Sequence, residues 1–283
     1  MPHILHLDSF ITPPAPPVKV MASYHISSRM HGHDFFEMVY VKEGYCLHRT
    51  DDKSALIMEG DLFILPPGMA HCYSGNRVTS IYNCIFSPDF LNREMLYSLP
   101  GLHQLQEEGV QGLSTLHLSL PERKAFLRLL SAMEEEGEHH PLGWGARLPA
   151  LLIQLLVEYA RAFQRRGEEA NGDTAYPEYV RQIFSMIDSH YHDPDLTVHQ
   201  MAAAAGVSDD YLTRQFRRIT GVSTQEYLRR YRFARAMELL QSGEQVGHVA
   251  VQTGFRTLSY FSREFTKELG VTPSQYRSQT NES

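Results

Sequence analysis

The feature that most constrains this chain is an internal repeat close to its end. "MAAAAGVSDDYLTRQFRRITG" matches "VAVQTGFRTLSYFSREFTKELG" at an offset of 48 residues, rising to 49 after one inserted residue. Ala202 aligns with Ala250, Gly206 with Gly254, and Gly221 with Gly270. Tyr211, Leu212, Arg214 and Phe216 align with Tyr260, Phe261, Arg263 and Phe265. Each copy has the layout of a helix-turn-helix: a short Ala-rich helix that allows close approach, a glycine turn, and a second helix opened by a capping residue. The two units span about 197–220 and 245–269. In the first, Ser208 is the expected N-cap and Leu212, Phe216 and Ile219 face inward, which leaves Asp210, Thr213, Arg214 and Arg217 pointing out. In the second, Thr257 is the expected cap and Phe261, Phe265 and Leu269 face inward, with Leu258, Ser259, Ser262, Arg263 and Thr266 outside.

An arginine near the start of such a helix can reach guanine O6 and N7 with both arms, worth about 1–3 kcal/mol of discrimination. Arg214 and Arg263 hold that position in both copies. Ser208, Thr257 and Lys267 suit phosphate contacts, which position a protein on DNA without reading sequence. The helix expected between the units, Ser223 to Ser242, would hold them at fixed separation. Two readers on one face of DNA need centres roughly 34 Å apart. A helical hairpin repeat that binds protein is the alternative.

Charge narrows the reading. The net charge of −7 argues against a general nucleic-acid binder, and all of it lies in residues 1–177, while residues 178–283 balance. From Val207 to Arg235, Arg214, Arg217, Arg218, Arg229, Arg230, Arg232 and Arg235 outnumber Asp209, Asp210 and Glu226, a local excess that could meet phosphates or simply form a solvated helix surface. At 283 residues two domains are expected, and 42% apolar with 21% charged residues is globular rather than disordered. The longest apolar run, "LPALLIQLLVEYA", is too short to span a bilayer, and the first residues show no signal-peptide pattern. Cys46, Cys72 and Cys84 are odd in number and form no CxxC pair, which points to a reducing cytoplasm.

The front of the chain has a different period. "EMVYV", "DLFIL" and "TSIYNCIF" are short strands between turn clusters, and with the Pro-rich lead-in "TPPAPP" they suggest an all-β barrel or sandwich over residues 1–115. A helical connector follows over 116–168. Its first helix places Phe126, Leu127, Leu130 and Met133 on one face. Its second, from about Arg147 to Arg166, carries the stripe Leu148, Leu152, Leu155 and Tyr159, widened by Leu151, Leu156 and Phe163. A helix so apolar packs on two sides, which suggests a subunit interface or its own barrel. Residues 169–177 read as a linker and 178–283 as the helical domain. Within the β-rich part, "HGHDFFEMVYVKEG" sets His31, His33 and Glu37 at metal-ligand spacings, and their shared parity would put them on one face of a single strand. His3, His6, His25 and His48 lack such spacing and read as incidental.

Residues 196–277 resemble the DNA-binding domain of AraC/XylS-type transcription regulators, on "MAAAAGVSDDYLTRQFRRITG", "YLRRYRFARAMELLQSG" and "VGHVAVQTGFRTLSYFSREFTKELGVTPSQYR". The resemblance implies base-contacting positions at Asp210, Thr213 and Arg214, and at Leu258, Ser259 and Arg263. Asp210 departs from the larger side chains common there, and Leu258 can offer only apolar contact, for example to a thymine methyl. In front, "HGHDFFEMVYVKEG" and "GDLFILPPGMAH" resemble both halves of the cupin signature of a small antiparallel β-barrel. The glycine before the first histidine is missing, and a trailing asparagine arrives one position late as Asn76.

That resemblance implies His31, His33, Glu37 and His71 as ligands of a divalent transition metal, Zn, Mn, Fe or Ni. Tyr40, Tyr45, Tyr73, Tyr82 and Asn83 are candidate pocket residues, with core filling expected for most of the aromatics. The whole implies an α+β multidomain protein: a cupin barrel, a helical connector and an all-α domain with two helix-turn-helix units. The expected function is a one-component regulator that binds double-stranded DNA and a small effector, sugar-like in kind. A homodimer, and RNA polymerase as partner if it activates, follow from the same resemblance. The alternatives are a cupin metalloenzyme fused to a DNA-targeting tail, for which no second acid/base constellation is found, and a regulator that senses the metal itself.

Overall fold

The computed structural model describes residues 3–12, 15–23, 29–50, 54–75, 79–99, 102, 115–170 and 177–280. His25, Asn76 and part of the Pro-rich lead-in lie outside these residues, as do positions 171–176 of the expected linker. The chain runs β1 (His3–Leu5), β2 (Val18–Ser23), β3 (His31–His33), β4 (Phe36–Glu43), β5 (Tyr45–Thr50), β6 (Ser54–Met58), β7 (Asp61–Leu65), β8 (His71–Gly75) and β9 (Ser80–Phe86). Helix α1 (Arg93–Ser98), β10 (Leu116–His117), α2 (Leu120–His139) and α3 (Trp144–Ala170) complete the front part. The rest is helical: α4 (Glu178–His190), α5 (Val198–Ala204), α6 (Asp209–Thr220), α7 (Thr224–Gln241), α8 (Val246–Gln252), α9 (Leu258–Leu269) and α10 (Pro273–Thr280).

The strands form two five-stranded sheets, β1-β3-β8-β5-β6 and β10-β7-β4-β9-β2. They make a jelly-roll-like sandwich of cupin type rather than a closed barrel. Side chains alternate across each strand, so each sheet has two faces to cover, and nearly all are apolar. Val39, Val41, Cys46, Ile57, Phe63, Leu65, Tyr73 and Ile81 pack together between the sheets. The outer face of the second sheet, with Phe36, Met38, Tyr40, Leu62, Ile64, Tyr82 and Phe86, packs against Phe126, Leu130 and Met133 of α2 and the whole expected stripe of α3. Helix α3 thus covers its own chain. It begins at Trp144, ahead of the expected Arg147, and ends at Ala170, inside the expected linker.

The outer face of the first sheet is covered by the helical domain. Tyr45, Leu47, Leu56 and Met58 share one core with Val180, Ile183, Phe216, Tyr227, Tyr231 and Phe265. The two domains, which the expected linker at 169–177 joins in sequence, share a common core in space. Helix α7 lies over β5, β6 and β8. Tyr227 Oη donates to the Leu56 carbonyl at 3.4 Å, and Arg49 pairs with Glu238 at 3.1 Å. The Arg230 guanidinium sits 5.5 Å from the Tyr45 ring centre. On the other flank, the His117 ring lies directly beneath Gly221, the C-cap of α6.

The duplicated units fold as the repeat demands. Ser208 and Thr257 cap α6 and α9, accepting from the amides of Tyr211 and Tyr260. Both helices end at a glycine in the left-handed region, Gly221 (φ 77°) and Gly270 (φ 73°). Between them α7 runs from its Ser223 cap, whose side chain accepts from the Glu226 amide, to Ser242.

Candidate functional site

The break between β3 and β4 changes how the first motif works. His33 and Glu37 lie on two strands, not one, and Phe35 at the corner leaves the site to pack on Phe10 and the His33 ring. The Phe35 carbonyl accepts from His33 Nδ1 at 2.6 Å, which fixes the tautomer and aims the Nε2 lone pair inward. Glu37 projects between the sheets from β4, and His71 reaches it from β8. Glu37 Oε2 is 3.4 Å from both His33 Nε2 and His71 Nε2. One ligand atom from each of the three lies within 4.8 Å of the others, and all three residues are buried. Among the described residues, neither His33 Nε2 nor His71 Nε2 has a hydrogen-bond partner. Two inward-aimed imidazole nitrogens beside a carboxylate, left without protein donors, fit a divalent metal ion.

His31 stands apart from this group. It pairs in register with His71, with ring centres 4.4 Å apart and its Nδ1 donating to the Arg29 carbonyl, but it is not among the three residues whose ligand atoms converge. His48, which looked incidental, belongs here instead. It is fully buried on the inner face of β5, and its Nε2 lies 3.1 Å from His71 Nδ1. With His71 donating from Nδ1, that contact leaves the Nε2 lone pair free toward the cluster. Alternation had the information: His48 shares parity with the inward Cys46. What it lacked was a reason to pair β5 with β8.

Burial dominates the electrostatics. It lowers the pKa of His33 against the opposing pull of Glu37, and lowers that of His48 well below the usual range. Burial also acts to raise Glu37, but the close approach and charge of His71, with the charges of His33 and His31, outweigh it, leaving the carboxyl below its ordinary value. Of the pocket candidates, Tyr73 faces the interior, its hydroxyl buried beside His48 and His71 with no partner among the described residues. Asn83 shares the inward parity of Ile81, and its Oδ1 is likewise unpartnered. Tyr40 and Tyr82 face α2 and α3, and Tyr45 faces the helical domain. The cysteines are buried and free.

The second site is the outer surface of α6 and α9. Leu212, Phe216 and Ile219 are buried on α6 and Phe261 and Phe265 on α9, which turns the opposite faces to solvent. Asp210, Thr213, Arg214 and Arg217 are exposed on α6; Leu258, Ser259, Arg263 and Lys267 are exposed on α9, and Ser262 is half-buried. The Ser208 and Thr257 hydroxyl oxygens accept from the helix backbone, which leaves each O–H free to donate to a phosphate. The arginine excess divides, however. Arg229 pairs with Glu226, Glu264 and Glu268; Arg230 pairs with Glu226; Arg232 donates to the carbonyls of Tyr191 and Asp193; Arg235 binds Glu238 and the Tyr191 hydroxyl. Arg229, Arg232 and Arg235 tie α7 to its neighbours, Arg230 pairs within α7 and lies over the Tyr45 ring, and the four do not form a phosphate surface.

Residues 20–156 match the model of the AraC-like ligand binding domain, and residues 201–279 that of a helix-turn-helix domain. The HTH-type transcriptional activator RhaR of Klebsiella pneumoniae is 27% identical over 250 residues, covering 87% of this chain and 86% of RhaR. RhaR of Escherichia coli K12 is 26% identical over 253 residues, with the same coverage. Among solved structures, the C-terminal domain of AraT, a response regulator from Geobacillus stearothermophilus, is 35% identical over 36% of this chain and 85% of its own, with a TM-score of 0.35. A ligand-binding domain joined to a DNA-binding helix-turn-helix domain makes this chain a transcription regulator, not an enzyme. It belongs to the AraC family of regulators.

Proposed function

We propose that the chain activates transcription in the cytoplasm in response to a small polar effector, sugar-like in kind, bound between its two sheets. Activation is proposed from the name carried by its RhaR relatives. Action as a homodimer, and through RNA polymerase, comes with that reading. Among the described residues no helix is long and apolar enough to cross a membrane.

The observation that carries the proposal is the position of the His33–Glu37–His71 cluster. Its third member and His48 sit on the inner face of the sheet whose outer face carries the DNA-binding domain. His33, Glu37 and His71 would hold a divalent transition ion, with coordination positions left for an exogenous oxygen, and the ion would polarise and orient an effector hydroxyl or carboxylate. Tyr73, Asn83 and the free nitrogen of His48 supply further polar contacts in the same interior. An effector acts only through unequal affinity for two arrangements of the chain, and β5 and β8 are the shortest route from this interior to α7. Arg214 and Arg263 are proposed to read bases, with Asp210, Thr213, Arg217, Leu258, Ser259 and Ser262 around them, while Ser208, Thr257 and Lys267 meet phosphates.

The test is elemental analysis of the purified full chain beside a Glu37→Ala, His71→Ala variant, with DNA binding measured for both. Metal bound near one equivalent in the first and lost in the second is expected, together with a monosaccharide that shifts the DNA affinity of the first alone. Equal metal in both refutes the site. A shift produced by Zn, Mn, Fe or Ni without any organic ligand makes the ion itself the signal.

A further inference from the structure

Each recognition helix carries an aromatic stack that its DNA-facing arginine completes. Arg214 places its guanidinium carbon 6.0 Å from the ring centre of Tyr211, and Arg263 lies 5.3 Å from that of Tyr260. In both cases the ring stands three residues before the arginine, on the same side of the helix. Both tyrosines are well exposed, 38% and 45%, so neither is needed to fill the core. Each ring is braced from behind. Tyr211 meets Tyr179 of α4 at 5.8 Å, and Tyr260 meets Phe255 at 6.2 Å. Phe255 in turn stacks on Phe233 at 5.3 Å, which ties the second stack to the domain core.

The two braces come from different places. Tyr179 lies ahead of the first unit altogether, whereas Phe255 lies in the turn of the second. The same stack is thus built twice with unrelated supports. We propose that Tyr211 and Tyr260 are positioning residues for base reading, holding Arg214 and Arg263 in the orientation that meets a guanine edge. The inference rests on the assignment of those arginines as base readers.

The chemistry favours this use of a ring. An arginine on an exposed helix face has many rotamers to lose when it binds, and a ring that already holds its planar fork in place removes part of that loss beforehand. The attraction to a tyrosine uses the face of the guanidinium, while its N–H bonds lie in the plane and stay available for O6 and N7. Arg263 also has Glu264 Oε1 at 3.3 Å from its Nε, a competing partner that the ring must offset. An exposed contact of this kind is worth about 0.5–1 kcal/mol, or roughly 2- to 5-fold in discrimination.

The experiment uses the full chain and the duplex it enriches from a randomised pool. Affinity is measured for that duplex and for versions with single guanines replaced. Tyr211→Leu and Tyr260→Leu are expected to lower discrimination roughly 2- to 5-fold at guanines read by their own unit. Tyr→Phe, which keeps the ring, retains it, and Tyr211→Leu has no further effect in an Arg214→Ala background. Tyr→Gln provides a second ringless side chain should either Leu variant fold poorly, which thermal melting reports. Unchanged discrimination in the ringless variants overturns the proposal, as do additive losses with Arg214→Ala. A loss as large in Phe as in Leu also overturns it, because the hydroxyl would then be the contact. Arg214→Ala and Arg263→Ala variants that leave discrimination intact refute instead the base-reading assignment beneath it.

Discussion

The contact between the two domains can be measured because the duplication supplies its own control. Gly221 and Gly270 end the two recognition helices at φ 77° and 73°. Alanine at either position places a side chain in the left-handed region, at a cost of about 1–2 kcal/mol. Beyond Gly270 an added Cβ meets nothing within 4 Å among the described residues. Beyond Gly221 it comes 2.2 Å from His117 Nε2, across the domain boundary. His117 cannot retreat freely: its Nδ1 donates to Asp61 at 2.8 Å and its Nε2 accepts from Arg123 at 2.9 Å. Giving up one such charged hydrogen bond costs about 1.5–3 kcal/mol. Gly270→Ala should therefore lower stability by about 1–2 kcal/mol and Gly221→Ala by about 2.5–5 kcal/mol, read from urea melts followed by circular dichroism. A cycle with His117→Ala should return a coupling of about 1.5–3 kcal/mol. Equal losses for the two glycines, with no coupling to His117, would refute the docking of α6 on β10 in solution.

Other consequences separate structural from DNA-facing charge. Arg229→Ala, which removes partners from Glu226, Glu264 and Glu268, should cost about 1–3 kcal/mol in melts and leave the affinity of the folded fraction for DNA unchanged. Lys267→Ala should leave stability within about 0.5 kcal/mol but lower the dependence of log affinity on log salt by about one, whatever the duplex sequence. Glu122 gives a pH signature. Burial raises its pKa, but the Ser119 hydroxyl and amide and the Arg165 guanidinium outweigh this and hold it below the ordinary value of 4.5. A carboxylate lowered in the folded state stabilises above its unfolded pKa and loses that contribution as pH falls through the folded one. The melting gap between wild type and Glu122→Gln should be widest near neutrality and close as the pH drops below 4.5.

What the sequence made legible was local. Caps, left-handed glycines and the 3.6-residue stripe are encoded within a few neighbouring residues, so α6, α7 and α9 stand within a residue of where the repeat puts them. Strand existence was equally local: "EMVYV", "DLFIL" and "TSIYNCIF" are β4, β7 and β9. Partnerships were not. Arginine content between Val207 and Arg235 is the same whether a guanidinium meets a phosphate or Glu226, and only the packing of α7 against α4, α9 and β5 decides that four of the seven are paired within the protein. His31 and His33 both carry the spacing of ligands, yet a corner at Asp34 and Phe35 puts His33 beside Glu37 and leaves His31 outside the three converging residues.

The docking of the domains was hidden for a different reason. A strand with one solvent-facing side alternates polar and apolar residues, and a missing polar side signals that something covers it. In β5, Tyr45 and Leu47 alternate with Cys46 and His48, and the one polar residue of that set points inward. The pattern says that both faces are covered without saying by what, and α3 was as good a candidate as α7. Only the three-dimensional arrangement shows the consequence: His48 and Arg49 are adjacent residues, one touching His71 inside and the other Glu238 of α7 outside. The energetic demand on any effector follows. To turn the population from 1:99 to 99:1 it must prefer one arrangement by about 5.5 kcal/mol, or roughly 10⁴-fold. A contact to the interior that leaves every strand carrying the helical domain where it is supplies no such preference, however tight. An effector that merely fills the sandwich would bind without regulating, whereas one that shifts His71 relative to His33 and Glu37 changes the wall on which α7 rests.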